Sequence, residues 1–350
     1  MKLKSVKQIK NLKDKRVLVR CDFDVPLEKG RVVDDSRLRA CLPTIEYLLK
    51  KKAKIILIGH AGRPSGKVVK DLSLLPIKKR LEKLLGQKID FVKDSGKNIL
   101  MLENLRFTAG EERNNKKFAK DLANLADIYI NEAWANSHRA HSSISAIQRY
   151  LPSYAGLHLE KEIKNLSGSL SKPLILIIGG AKIETKLPVI KKFFNQADYI
   201  LVGGAVANNF LKALGLDVGQ SLVNNKYLKM AKKIYNPKII LPIDVIQKNG
   251  KILDIGPKTI KLFRAKIKLA KTIIWNGPMG KFEDEQYASG TDAIAKTILK
   301  SKAKIIIGGG DTEAALGNRK IPANIFVSSG GGAMLEFLAN KKLPGLKKLI

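Results

Sequence analysis

In the stretch 173–204 the chain twice runs from a short apolar segment into paired glycines and then into a helical pattern. Leu174-Ile175-Leu176-Ile177-Ile178 ends at Gly179-Gly180, and Tyr199-Ile200-Leu201-Val202 ends at Gly203-Gly204. Apolar runs of this length, bounded by turns, read as strands buried on both faces of a parallel sheet. After Gly180, Lys182 and Lys186 fall four apart on one face of the next helical pattern. Cations in a first turn oppose the helix dipole, so they are either solvated or matched by an anion at the helix end. Strand, glycine turn and helix, twice over, is the layout of an α/β nucleotide site.

The rest of the chain repeats that rhythm. Arg16–Arg20, Lys54–Ile58, Ile99–Leu102 and Asp127–Asn131 read as strands. Between them Ser36–Lys52, Leu72–Leu85 (despite Pro76) and Asn114–Leu125 have helical periodicity. Ser153–Leu170 reads as one helix joining two domains. Further strands are expected near Leu174, Tyr199, Ile239, Thr272, Lys304 and Asn324. Strands alternating with helices imply right-handed crossovers and two doubly wound, mainly parallel α/β domains. The expected divisions are 1–152, a connecting helix over 153–170, 171–340, and a tail over 341–350.

A length of 350 residues suffices for two such cores. The apolar runs are too short to span a membrane, and Met1-Lys2-Leu3-Lys4 does not resemble a secretory leader. Cys21 and Cys41, the sole cysteines, read as reduced thiols of a cytoplasmic protein. The net charge of +34 raises nucleic acid as a partner. Against this, the lysines are spread over every helical segment, and aromatics are only 6%, without the interleaving of a single-strand binder. No nucleic acid and no membrane partner is expected.

The two halves carry different chemistry at their strand ends. In the first, Asp22, His60, Arg63, Arg106 and Arg139 follow strands and Arg37 opens a helix. The strand ends of a parallel sheet share one edge, so these groups converge, and guanidinium forks suit a small polyanion. In the second half the strand ends are Gly179-Gly180, Gly203-Gly204, Asn276-Gly277-Pro278, Gly308-Gly309-Gly310 and Gly330-Gly331-Gly332. Such turns let backbone N–H groups approach phosphates. Neither a P-loop nor a dinucleotide fingerprint is present. Asp311 reads either as a carboxylate beside Mg2+ or as a helix cap. The four histidines supply no metal spacing and no catalytic triad. Phosphoryl transfer involving a carboxylate needs no general base, which agrees with that absence.

These pieces together resemble the phosphoglycerate kinase family over nearly the whole chain. They are Arg20-Cys21-Asp22-Phe23-Asp24-Val25-Pro26, His60-Ala61-Gly62-Arg63-Pro64, Glu103-Asn104-Leu105-Arg106-Phe107, His138-Arg139-Ala140-His141, Gly179-Gly180-Ala181-Lys182, Trp275-Asn276-Gly277-Pro278-Met279-Gly280, Gly308-Gly309-Gly310-Asp311-Thr312 and Gly330-Gly331-Gly332-Ala333. The resemblance implies two domains facing each other across a cleft, which closes for direct in-line transfer between 1,3-bisphosphoglycerate and ADP. It implies phosphoglycerate binding by Asp22, Phe23, Asp24, Arg37, His60, Ala61, Gly62, Arg63, Arg106 and Arg139. It implies nucleotide binding by Gly180, Lys182, Lys186, Gly203, Gly204, Asn276, Gly277, Pro278, Glu283 at the ribose, Gly309, Gly310, Asp311 and Thr312. Arg37, Lys182 and Lys186 would surround the transferred group, Asp311 would hold nucleotide-borne Mg2+, and the enzyme would act as a cytoplasmic monomer. The chain departs from the family at Asp24 (usually Asn), Ala61 (usually Leu), Glu132-Ala133-Trp134 (usually Asp-Ala-Phe) and Ala205 (usually Gly). A nucleotide-binding protein without activity is the rival that Asp24 and Ala205 would favour.

Overall fold

The computed structural model describes residues 3–93, 95–339 and 342–350. The chain divides into two compact units, Met1–Ser167 with Lys341–Ile350, and Gly168–Asn340.

In the first unit the elements run β1 (Arg16–Arg20), α1 (Ser36–Lys50), β2 (Lys54–Ile58), α2 (Leu75–Leu85), β3 (Asp90–Phe91), β4 (Ile99–Met101), β5 (Ile128–Asn131), β6 (Ser153–Ala155) and α3 (Leu157–Leu166). The six strands lie in the order β3-β4-β2-β1-β5-β6, and every neighbouring pair is parallel. Side chains alternate across this sheet as the pleat requires. Val17 and Val19 enter one core with Leu38, Ile45 and Leu57, whereas Leu18 enters the other with Ile56, Ile58 and Tyr129. Both faces are therefore covered.

Several boundaries differ from the sequence expectation; the helix expected over Asn114–Leu125, for one, spans Lys116–Ala123. α2 starts at Leu75 rather than Leu72, with Pro76 in its first turn, where a missing N–H costs nothing. α1 ends at Lys50. The single helix expected over Ser153–Leu170 is instead β6 followed by α3, separated by Gly156. Gly156 lies so close to the Glu132 carboxylate that a Cβ there would strike it. This corrects the picture of one long connecting helix.

Residues 342–350 pack on the first unit. Lys4 N–H donates to the Leu349 carbonyl at 2.7 Å, Asn131 Nδ2 to that of Gly345 at 3.0 Å, and Leu343, Leu346 and Leu349 are buried.

The second unit contains β7 (Leu174–Ile178), α4 (Ile183–Phe193), β8 (Tyr199–Val202), α5 (Gly204–Ala213), β9 (Ile239–Ile240), β10 (Val245–Lys248), β11 (Lys251–Ile255), β12 (Thr272–Asn276), α6 (Ser289–Leu299), β13 (Lys304–Gly308), α7 (Gly310–Leu316), β14 (Ile325–Ser328) and α8 (Gly331–Leu338). Its parallel sheet has the order β9-β8-β7-β12-β13-β14. Five of the predicted strands fall where the apolar runs lie, and the one expected near Asn324 begins at Ile325. The antiparallel hairpin β10–β11 was not expected. In each sheet the strand order reverses beside the unit's first long strand, between β1 and β5 and between β7 and β12. Ligands of open parallel sheets bind outside the carboxyl ends at such points.

Candidate functional site

In the first unit the loops after β1, β2, β4 and β5 bring the predicted groups to one edge. Asp22 is buried and holds α1 through its Arg37 guanidinium, 3.2 Å away, while Asn136 Nδ2 donates to it at 3.3 Å. The same guanidinium donates to the Asp24 carbonyl at 3.0 Å. Asp24 turns its carboxylate to the next loop, accepting the Gly62 N–H at 2.9 Å and lying 3.9 Å from His60 Nε2.

His60 is held from behind. Arg20, fully buried, donates to its Nδ1 at 2.8 Å, so the ring proton sits on Nε2. Burial and then the charges of Arg20, Arg106 and Arg139 hold the imidazole well below its usual pKa, so it is neutral. His141 follows the same logic and is pushed down to about 3 by burial and by Arg106 and Arg139. Arg20 also donates to Ser143 Oγ at 2.9 Å, which donates to buried Glu111 at 2.6 Å, so its charge is balanced through one hydroxyl.

Arg106 is only 2% exposed. Nη1 donates to the Gly62 carbonyl at 2.7 Å and Nε lies 3.4 Å from Glu112, but Nε and Nη2 lack a hydrogen-bond acceptor. Leaving buried donors unmatched is costly, and an anion would relieve it. Arg139 is half-buried and Arg63 is exposed.

Two of the expected residues present no side chain at this edge. Phe23 is fully buried in the core, packed against Gly59. Ala61 is likewise buried and gives its carbonyl to Asn104 Nδ2 at 2.8 Å. Sequence reasoning missed Arg20 and Asn136, although Arg20 ending a strand just before Asp22 was the available signal.

In the second unit Lys182 and Lys186 do not share a helical face, because Lys182 is the residue before α4 and is exposed. Lys186 is half-buried and donates to Asn276 Oδ1. Burial lowers its pKa to about 8, against the pull of Asp311 and with the help of Lys182. Asn276 spends its other end on the Gly308 carbonyl. Thr312 is buried, donates to that same carbonyl at 3.1 Å and accepts the Gly277 N–H at 2.7 Å.

The glycine turns are interlocked. Gly179 N–H donates to the Asn276 carbonyl at 3.0 Å, Gly180 to Pro278 at 2.8 Å, Gly203 to Ile178 at 2.9 Å and Gly204 to Met279 at 2.7 Å. These amides, with that of Gly277, were expected to meet phosphates, and they are instead committed to the protein. The glycines are required for proximity. A Cβ on Gly179 would strike the Pro278 carbonyl, and one on Gly204 (φ +58°) would lie 2.7 Å from Gly180 N.

Over these turns lies a cavity of about 320 Å³. Gly180, Gly204, Pro278, Glu283 and Asp311 line it, with Leu222, Pro242 and Val245 supplying apolar wall. Gly203, Asn276, Gly277, Gly309, Gly310 and Thr312 are not on its wall, nor are the two lysines. Among the described residues no group of three His, Cys, Asp or Glu could hold a metal by itself. One exposed carboxylate, Asp311, on the wall of a nucleoside-sized cavity does fit Mg2+ carried by phosphates, since that ion takes one or two carboxylates and keeps its other ligands.

A cationic, partly dry edge for a small anion and a cavity of nucleoside size with cations beside it are what a small-molecule kinase requires, and the chain falls in that class. The family model described as phosphoglycerate kinase matches residues 6–341. A phosphoglycerate kinase of Pelotomaculum thermopropionicum is 39% identical, covering 100% of both chains. One of Pseudothermotoga lettingae is 43% identical over 100% of this chain and 99% of its own. The solved phosphoglycerate kinase of Coxiella burnetii superposes with a TM-score of 0.84 at 36% identity, covering 99% of this chain and 98% of that one. The chain belongs to the phosphoglycerate kinase family.

Proposed function

We propose that the chain catalyses reversible phosphoryl transfer between 1,3-bisphosphoglycerate and ADP, giving 3-phosphoglycerate and ATP. The observation that carries this reading is Arg106, buried with two donors unmatched beside a neutral His60 and the half-buried Arg139. The first unit holds the phosphoglycerate through Arg63, Arg106, Arg139 and the Nε2–H of His60. Asp22 contributes by aiming Arg37 and does not touch the anion. The second unit holds the nucleotide in its cavity, with Glu283 at the ribose and Asp311 toward Mg2+. When bound with the nucleotide, the ion neutralises phosphate charge.

No proton need move during the transfer, because the acceptor is an ionised carboxylate or phosphate. The transition state spreads negative charge over the migrating group, so cations must meet it from more than one side. Lys182, Lys186 and Arg37 are the cations assigned to that task. The lowered pKa of Lys186 leaves it mostly charged at pH 7 and makes activity fall as pH rises through about 8. The protein works as a cytoplasmic monomer without nucleic acid. The purified chain, given 1,3-bisphosphoglycerate and Mg-ADP in a coupled assay, should form ATP, whereas nucleotide binding without turnover would select the inactive rival.

A further inference from the structure

Asp254, at the end of β11, is 1% exposed and has no part in the chemistry above. Its Oδ2 accepts the Gly290 N–H at 2.6 Å and the Ser289 hydroxyl at 3.2 Å, both in the first turn of α6, and Oδ1 accepts the Ile255 N–H at 2.9 Å. The backbones of Gly280 and Gly290 both press on this carboxylate, so a Cβ on either would strike Oδ1. One residue earlier, the Leu253 carbonyl accepts the Lys281 N–H at 2.7 Å. The loop 280–290 is thus fastened at both ends to two consecutive residues of β11. Between the fastenings stands Glu283, exposed on the same cavity wall as Asp254. Burial raises the Asp254 pKa despite these donors.

We propose that Asp254 is a positioning residue that sets the height of Glu283 against the ribose, and so governs selectivity for ribose hydroxyls over a dideoxyribose. The inference rests on the assignment of Glu283 to the ribose. A carboxylate suits the task because both its oxygens accept, whereas an amide keeps one acceptor and must set Nδ2 against the Gly290 or the Ile255 N–H, which loosens the end of the loop.

The test compares ADP with 2′,3′-dideoxy-ADP in kcat/KM for the native protein, Glu283→Gln, Asp254→Asn and the milder Ser289→Ala. Circular dichroism at low temperature establishes that each variant is folded. The native protein should prefer ADP by about tenfold or more, the value of a hydrogen bond to a charged group. Glu283→Gln and Asp254→Asn should both lose most of that preference, with KM for phosphoglycerate unchanged, and Ser289→Ala should lose part of it. If Glu283→Gln keeps the preference, the ribose assignment fails and takes the proposal with it. If Glu283→Gln loses it while folded Asp254→Asn and Ser289→Ala keep it, only the role of Asp254 is refuted.

Discussion

At the first unit's sheet edge the groups offered to a ligand are side chains, and those side chains are held by other side chains. Arg20 orients His60, Asp22 holds Arg37, and Asp24 fastens the loop carrying Arg63. At the second unit's edge the corresponding place is backbone against backbone, with glycines 179, 180, 203 and 204 locked into the turn after β12 and its neighbours. A site made of side chains can lose one member and keep its shape, so substitutions there should alter chemistry more than folding. A floor made of backbone has no removable parts, so substitutions there should alter folding first.

The largest effect expected on this contrast is at Gly179. Gly179→Ala forces a methyl onto the Pro278 carbonyl and should cost the second unit about 3 kcal/mol or more, with loss of nucleotide binding. A native-like denaturation curve for this variant would dissolve the contrast. Arg37→Ala and Lys182→Ala come next. Each should lower kcat by about a hundredfold while changing either KM less, the size seen when one preorganised charge donor is removed. Normal turnover in Arg37→Ala would show that Arg37 supplies no charge to the transition state.

Arg63→Ala should raise KM for phosphoglycerate about tenfold, with ADP binding and stability nearly unchanged, because Arg63 is exposed. Equal losses for both ligands would refute the division of labour.

Glu132 tests the cost of burying a side chain. Burial raises its pKa to about 7 although Thr44, His158 and Leu159 donate to it. A raised carboxyl pKa means that the fold favours the protonated form, so this contribution is present below the unfolded value and is lost as pH rises through about 7. Glu132→Gln should therefore be more stable than the native protein at pH 8, with the advantage shrinking toward pH 5. The reading must be the difference between the two proteins, since buried His60 and His141 and half-buried His158, whose pKa values are lowered, act in the opposite sense. The smallest effect is that of Asp24→Asn, which keeps an acceptor for the Gly62 N–H and removes a charge near the anion. KM for phosphoglycerate should fall a few-fold, about what one solvent-exposed charge is worth. A rise would mean that the carboxylate is needed near His60.

Legibility in the sequence followed the same division. Long β-branched runs such as Ile175–Ile178 or Ile305–Ile307 announced themselves, as did the cations after them. β3, β6 and the β10–β11 hairpin did not, because two to five residues of mixed character carry no usable period. Gly179, Gly180, Gly203 and Gly204 were found as special, yet for a different reason than the one that holds. Sequence shows that a Cβ is missing, but only the fold shows that another strand's turn fills the space. Phe23 and Thr312 are the opposite case: their neighbours in sequence stand at the edge while their own side chains are buried.

The closing segment 342–350 gives the first unit an unusual schedule. Asn131, Ser137, Gln148 and Lys4 all find hydrogen-bond partners in residues that a ribosome adds only after the whole of Gly168–Asn340. At about 5–20 residues per second, the first unit waits roughly nine to thirty-five seconds for this segment while the second is made. During that interval the places later covered by Leu343, Leu346 and Leu349 stay open to water and to any passing chaperone. The half of the molecule that is made first is thus the half that is finished last.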